Sequence, residues 1–171
     1  MKYLILNLIL ATLFISCTKS NKSNSEKDFV VDAQVIGRTS ICSDEPDRLI
    51  MQIKVSNGSN ISISFWIYKC SWEDSFIIDR NDVQFSGREC VGNYPVKIDL
   101  KPSESIVFVN TIKLLSDSLM YNPTTFKIGL ISFEENELKG KMINGIPEDQ
   151  KTYWSKPIKM DYSQYGYNKH P

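Results

Sequence analysis

An antiparallel two-sheet β-sandwich is the fold class this sequence predicts, and three observations carry the prediction. From Phe29 onward the apolar residues alternate with polar ones instead of recurring at helical spacing. Turn residues punctuate these runs every ten residues or so, as at Asp79-Arg80-Asn81-Asp82, Lys101-Pro102-Ser103 and Asn122-Pro123. The runs are short, and eight or nine short strands at such spacing argue for a sandwich, with a small closed barrel as the alternative. The span from Asp28 to about Met160 has the length of one ordinary domain.

Taken in order, the first strand covers Phe29 to Gly37. In the second, Leu49, Met51, Ile53 and Val55 point one way with Gln52, Lys54 and Ser56 opposite, the pattern of a half-buried strand. Ile61, Ile63, Phe65 and Ile67 repeat it after Asn57-Gly58-Ser59-Asn60, a turn signal that predicts a β-hairpin between the two. Further strands are expected at Ser75 to Asp79, Asp82 to Ser86, Val96 to Leu100, Ser105 to Lys113, Thr125 to Phe133 and Tyr153 to Met160. Ile112, Leu115 and Leu119 fall at helical spacing and predict a helix over Ile112 to Met120. The polar span Glu134 to Thr152, with Gly140, Gly145 and Pro147, reads as a long loop, and loops of that length tend to be functional or mobile.

The N-terminal residues read as an address. Lys2, the apolar run Leu4 to Leu13 and Ser16 fill the basic, hydrophobic and cleavage-site roles of a secretory signal over residues 1–16. The run is shorter than the roughly 20 residues needed to span a bilayer. Phe14-Ile15-Ser16-Cys17 resembles the lipobox of bacterial lipoproteins, departing from it at Phe14, where the pattern has Leu, and keeping it at Ser16. The resemblance implies that Cys17 becomes a multiply acylated N-terminus, since one acyl chain holds a protein only marginally. Residues 17–28 then form a tether: Thr18 to Asp28 is rich in Ser, Asn and Lys and contains no apolar residue, so it cannot bury enough surface to fold. The alternative is a plain signal peptide cut near Ser16. With no acidic cluster directly after Cys17, the expected location is the cell envelope, anchored in the outer membrane and facing the periplasm.

Charge and composition exclude several functions. Loss of Lys2 with the signal leaves 19 of the 20 basic residues against 20 acidic ones, a net charge of −1 with no basic cluster, so nucleic acid is not an expected partner. The single histidine, His170, lies next to last in a tail, 162–171, that reads as disordered. Triad catalysis and most histidine-ligated metal sites need an imidazole on a rigid scaffold. No G-x-G-x-x-G or P-loop occurs. No cofactor is expected.

Outside Cys17 three thiols remain, Cys42, Cys70 and Cys90, so one is left over if a disulfide forms. Strands running alternately up and down bring all three to one end of the sandwich. Cys70 with Cys90 is the favoured pair, because the segment between them carries Trp72, Phe76, Ile77 and Phe85 and otherwise has only edge pairing to hold it. Cys42 is then a buried thiol or an alternative partner. Trp66 and Tyr68 lie on the strand face opposite Phe65 and Ile67 and form a possible aromatic platform for a sugar or peptide, unless a loop or the C-terminal segment covers them. Trp72 is expected to pack against the disulfide. Carboxylates cluster at Asp44/Glu45/Asp47, Glu73/Asp74 and Glu134/Glu135/Glu137, but neither a paired-carboxylate hydrolase site nor a calcium site follows from proximity in sequence, and Asp44-Glu45-Pro46-Asp47 lacks the glycine-bearing calcium-loop spacing and reads as a solvated loop.

The strand order, Cys70-Ser71-Trp72, Cys90 before Asn93-Tyr94-Pro95, the run Phe126-Lys127-Ile128-Gly129-Leu130 and the closing Trp154-Ser155 resemble small bacterial lipoproteins with an immunoglobulin-like sandwich over 29–161 and no assigned activity. The resemblance implies fold and compartment only. The function expected is therefore a non-enzymatic binding or assembly module of the envelope, held to the membrane by Cys17, its partner an envelope protein or glycan. One alternative is an inhibitor-like module presenting 134–152 to a protease. The other is a carboxylate-dependent hydrolase.

Overall fold

The structure is a computed structural model and describes residues 28–39, 48–87, 90–116, 119, 122–133, 151–161 and 164. These form eleven strands: β1 (Phe29–Thr39), β2 (Arg48–Asn57), β3 (Ile63–Tyr68), β4 (Phe76–Ile78), β5 (Val83–Phe85), β6 (Pro95–Leu100), β7 (Ser105–Leu114), β8 (Thr124–Phe126), β9 (Ile128–Ile131), β10 (Thr152–Trp154) and β11 (Ile158–Met160). A 3-10 turn, Trp72–Ser75, precedes β4. The signal and tether with Cys17, Cys42, the Asp44/Glu45/Asp47 and Glu134/Glu135/Glu137 clusters and most of 134–152 lie outside the described residues.

All pairings are antiparallel. The first layer has the strand order β1-β2-β7-β5. In the second, β10-β9-β4 form one ladder group, β11 pairs with β8, and β3 pairs with β6, while an isolated bridge between Trp66 and Phe133 joins β3 to the strand end beyond β9. No sheet closes on itself, so the barrel alternative is wrong and the fold is a sandwich. Leu49, Met51 and Ile53 of β2 and Phe108 and Ile112 of β7 meet Phe65 and Ile67 of β3, Ile128 and Leu130 of β9 and Ile158 and Met160 of β11 in one core. The alternation on β2 explains this: its inward residues Leu49, Met51, Ile53 and Val55 are each fully buried, and its outward ones are not.

Three expectations need correction. Asn57 to Asn60 does not make a hairpin, because β2 pairs with β1 and β7 while β3 pairs with β6. The side chain of Asn57 diverts the chain. Its amide donates to the carbonyls of Ile61 (2.7 Å) and Leu100 (3.0 Å), and its Oδ1 accepts the Ser59 N–H (2.8 Å). The asparagine thus caps its own turn and ties it to β6 in the opposite layer, whereas a hairpin would have used its backbone groups. Those groups are taken by the next turn: Asn57 N–H donates to Glu104 O and Asn57 O accepts from Ser103 N–H.

The helix over Ile112 to Met120 is replaced at its start by the end of β7, where Ile112 lies between Leu49 and Phe85. Ile112 and Leu114 are buried at period two and Leu115 is half exposed, so tertiary pairing overrides the helical spacing as far as Leu114, while Leu119, near the end of the expected span, is helical and buried. Finally, the strands expected at Thr125 to Phe133 and Tyr153 to Met160 are each broken, which raises the count from nine to eleven. Between the pairs Trp154–Gly129 and Ile158–Phe126, the two residues Lys127 and Ile128 face three, Ser155 to Pro157. This is a β-bulge. Ser155, buried, fills it: its N–H donates to Ile128 O (2.8 Å) and its Oγ accepts the Ile128 N–H (3.1 Å).

Candidate functional site

The outer face of the second layer holds Trp66 and Tyr68, the two residues of the possible platform. Phe65 and Ile67 point into the main core, and Trp66 and Tyr68 therefore point out, as alternation requires. There Tyr68, Ile131 and Phe133 form a second apolar cluster, with Trp66 and Ile77 packed against it half-buried. Tyr68 is only 3% exposed. Burial, and then the Asp74 carboxylate, push its phenol above the ordinary tyrosine range. Trp66 keeps part of its surface in water, so the two predicted residues are not equivalent: one is a packing residue, the other lies at the rim of the cluster.

The same face carries an aromatic that the sequence reading placed only in a closing strand. Trp154 of β10 is paired with Gly129 of β9, and Gly129 points to the same side as Ile131. A Cβ built on Gly129 lies 3.0 and 3.1 Å from the indole carbons Cε3 and Cδ2 and 2.6 Å from Thr152 Cγ2. No side chain but hydrogen fits beneath the indole. The ring therefore rests against the glycine backbone, and Trp154 is still 44% exposed. The signal for this contact was in the sequence, since a glycine inside an otherwise apolar strand marks close approach by another group. Its partner was not, because the register across the bulge is not written locally.

Lys127 precedes Gly129 by two residues; its N–H donates to Asp79 Oδ1 (2.7 Å), and its carbonyl accepts from the Asp79 N–H (3.2 Å). Both side chains are exposed, as is Lys156 just past Trp154 in the bulge.

The cysteine corner forms as expected. Cys70 and Cys90 are joined, with their Cα atoms 5.9 Å apart. Asn93 clamps the corner: its Oδ1 accepts the N–H groups of Cys70 (3.2 Å) and Ser71 (3.4 Å), and its Nδ2 donates to Ser71 Oγ (2.6 Å). Lys69 Nζ donates to the Tyr94 hydroxyl (2.6 Å). Between these anchors Val91 stands fully in solvent and Gly92 takes a φ of 78°, the left-handed region open to glycine. Trp72 is in the core, its ring contacts made with Phe76, Phe85 and Phe108 at centroid distances of 5.7, 6.4 and 4.9 Å.

Of the carboxylates, Asp74 accepts from Ser71 Oγ (2.8 Å), and Glu73 is buried with its Oε2 lacking a hydrogen-bond partner. Among the described residues no group of three His, Cys, Asp or Glu side chains converges to hold a metal ion. The first layer presents a shallow polar groove instead, of about 330 Å3, between Asp32, Gln34, Gln52 and Lys54 on one side and Lys156 and Pro157 on the other. Comparison of the chain with protein-family models, with curated proteins and with solved structures gave no match.

Proposed function

We propose that this chain is a lipid-anchored envelope lipoprotein whose sandwich serves as a non-enzymatic binding or assembly module. The observation that carries the reading is the placement of Cys17 at the end of the apolar run, followed at once by a stretch with no apolar residue until Phe29. Signal, anchor and tether are then consecutive. The joined Cys70–Cys90 pair supports the same compartment, because structural disulfides persist in oxidising surroundings outside the cytoplasm. For the binding role, the support is the pair of rings left partly in water on the outer side of the second layer, Trp66 and Trp154, beside the buried cluster of Tyr68, Ile131 and Phe133.

The test is fractionation of cells producing the chain and its Cys17→Ser variant. The parent should partition with membranes and into the detergent phase, and the variant should accumulate as uncleaved precursor or leave the detergent phase. Identical partitioning of the two would contradict the anchor.

A further inference from the structure

We infer that the open edge of β7 is a strand-addition site, which takes an extended, uncharged segment of another envelope protein as one more strand of the first layer. The inference rests on the sandwich being the binding module proposed above and names its class of partner.

β2 lies beside β7 from Ser105 to Lys113, whereas β5, on the other side, pairs only with Ile112 to Leu114. Hydrogen bonds on the two sides show which backbone groups face the gap. On the β2 side Asn57 N–H donates to Glu104 O (2.9 Å), so by alternation Ile106 and Phe108 also turn their N–H and C=O groups toward β2. On the β5 side Ser86 N–H donates to Thr111 O and Leu115 N–H to Asp82 O, both at 2.8 Å. The same alternation turns the groups of Ser105 and Val107 to the side where β5 has ended, and among the described residues none pairs with them there.

An open edge pairs with any extended chain it meets, and proteins blunt such edges with short strands, proline, charge or bulges. The other edges among the described strands carry these devices. β5 has three residues. β1 bulges between Val35 and Gly37, and Lys156 and Pro157 lie across the groove from its Asp32 and Gln34. β6 begins at Pro95 and carries the Lys97–Asp99 ion pair (3.1 Å). β10 and β11 have three residues each and are parted by the bulge at Ser155. Ser105 to Val109 has no proline, no charge and no bulge, and Val107 stands 48% exposed on its outward side. This stretch alone is left unblunted.

What the edge lacks decides what it takes. Its donors and acceptors recur at every second residue, about 6.8 Å apart, a spacing that another extended backbone matches. Trp72 of the second layer packs on both Phe85 of β5 and Phe108 of β7, so it lies under the line along which β5 would continue. Inward side chains of an added strand meet that ring and are best apolar; outward ones lie beside Val107 and are best β-branched. Self-pairing of two β7 edges about Val107 would bring the Lys101–Glu104 turn of a second copy against Ser86 and Gly87, which occupy the end of the β5 line. The added strand therefore comes from a different protein.

The experiment is amide hydrogen exchange, read by NMR on the full chain in detergent micelles. The probe is a millimolar peptide of alternating threonine and valine flanked by lysines, and the comparator has proline in place of each valine. Without peptide, Ser105 and Val107 should exchange fast between slow Ile106 and Phe108. With the probe, exchange at Ser105 and Val107 should slow about tenfold or more, and with the comparator it should not change. Val107→Pro removes the edge N–H and no bond to β2, so it should abolish the slowing at Ser105. Val107→Lys, a charge on the outward side, should weaken it and leave Ile106 and Phe108 as protected as in the parent. Slow exchange at Ser105 and Val107 in the free protein, no slowing by the probe, equal slowing by the comparator, or slowing that survives both variants would overturn the proposal. Protection that grows with protein concentration alone would give the edge to a second copy and overturn the choice of partner. The edge is read whatever the state of Cys17, so its failure and the failure of the lipid anchor are distinguished.

Discussion

In the first layer β2 runs ten residues without a break, and the side chains it turns away from the core are Arg48, Gln52, Lys54 and Ser56, with Ile50 alone apolar. In the second layer β9 runs four residues and all four are buried. The difference lies in what each sheet must satisfy. The first has one dry face and one wet face, so alternation is clean on β2, strands are long, and the register of β2 with β7 is continuous over nine residues, while that with β1 shifts once, between Val35 and Gly37. The second is apolar on both faces around Ile131 and Phe133, is interrupted by the bulge at Ser155, and is held to β3 by a single bridge. The first layer gives the domain a frame; the second carries surface that the frame does not require.

The sharpest way to break this comparison is to truncate outward-facing residues in each layer. Phe133→Ala, on the outer side of the second layer, should cost about 3–5 kcal/mol in urea unfolding, because the ring is 1% exposed and leaves a cavity. Val109→Ala, outward on the first layer and 46% exposed, should stay within about 0.5 kcal/mol. Equal costs would mean that the layers are alike.

The cysteine corner comes next. Cys70→Ser or Cys90→Ser should cost about 2–5 kcal/mol, as for a native disulfide in a small secreted domain, and Cys42→Ser far less. Non-reducing peptide mapping should show Cys70 linked to Cys90. A bridge containing Cys42 would overturn the pairing.

Asn57→Ala follows, at about 1–3 kcal/mol, since it leaves the Leu100 carbonyl without its donor in the interior. It should act on the crossover between layers and leave the first ladder intact. Loss of amide-exchange protection in β1 and β2 as well as around β3 and β6 would count against that role.

The smallest effect is electrostatic. Arg80 grips Asp82 through Nε (2.7 Å) and Nη2 (2.6 Å) and reaches Thr124 through Nη1 (3.0 Å). The Arg80 hydrogen bonds hold the Asp82 carboxyl below the usual carboxylate range. The folded state therefore binds this proton less tightly than the unfolded one. The pair's contribution is present above the ordinary aspartate range near pH 4 and fades as pH falls through the lower folded value. Thermal melts of Asp82→Asn should show a slightly flatter acid limb than the parent, and an unchanged limb would show that solvent screening removes the effect.

The first layer was legible in the sequence to within a residue or two, because a strand with one dry face writes its pattern as alternation. The disulfide was legible because strand direction brings the thiols to one end and the apolar segment between Cys70 and Cys90 otherwise has only edge pairing to hold it. The crossover at Asn57 was not, since Asn-Gly favours a turn without saying which strands the turn joins, and the deciding bond reaches Leu100, 43 residues away. Trp66 and Tyr68 were placed on the correct face, yet their unequal burial depends on Ile131 and Phe133, which no local pattern connects to them. Trp154 was hidden for the same reason, because its contact with Gly129 exists only once β9 and β10 are in register.

The proposed function rests most heavily on export of the chain and its anchoring through Cys17. Intact-mass and N-terminal peptide analysis of the protein extracted from membranes tests it most directly. The mature chain should begin at Cys17 and carry the added mass of more than one acyl chain on that residue; an unmodified N-terminus at Cys17 or Thr18 would contradict it.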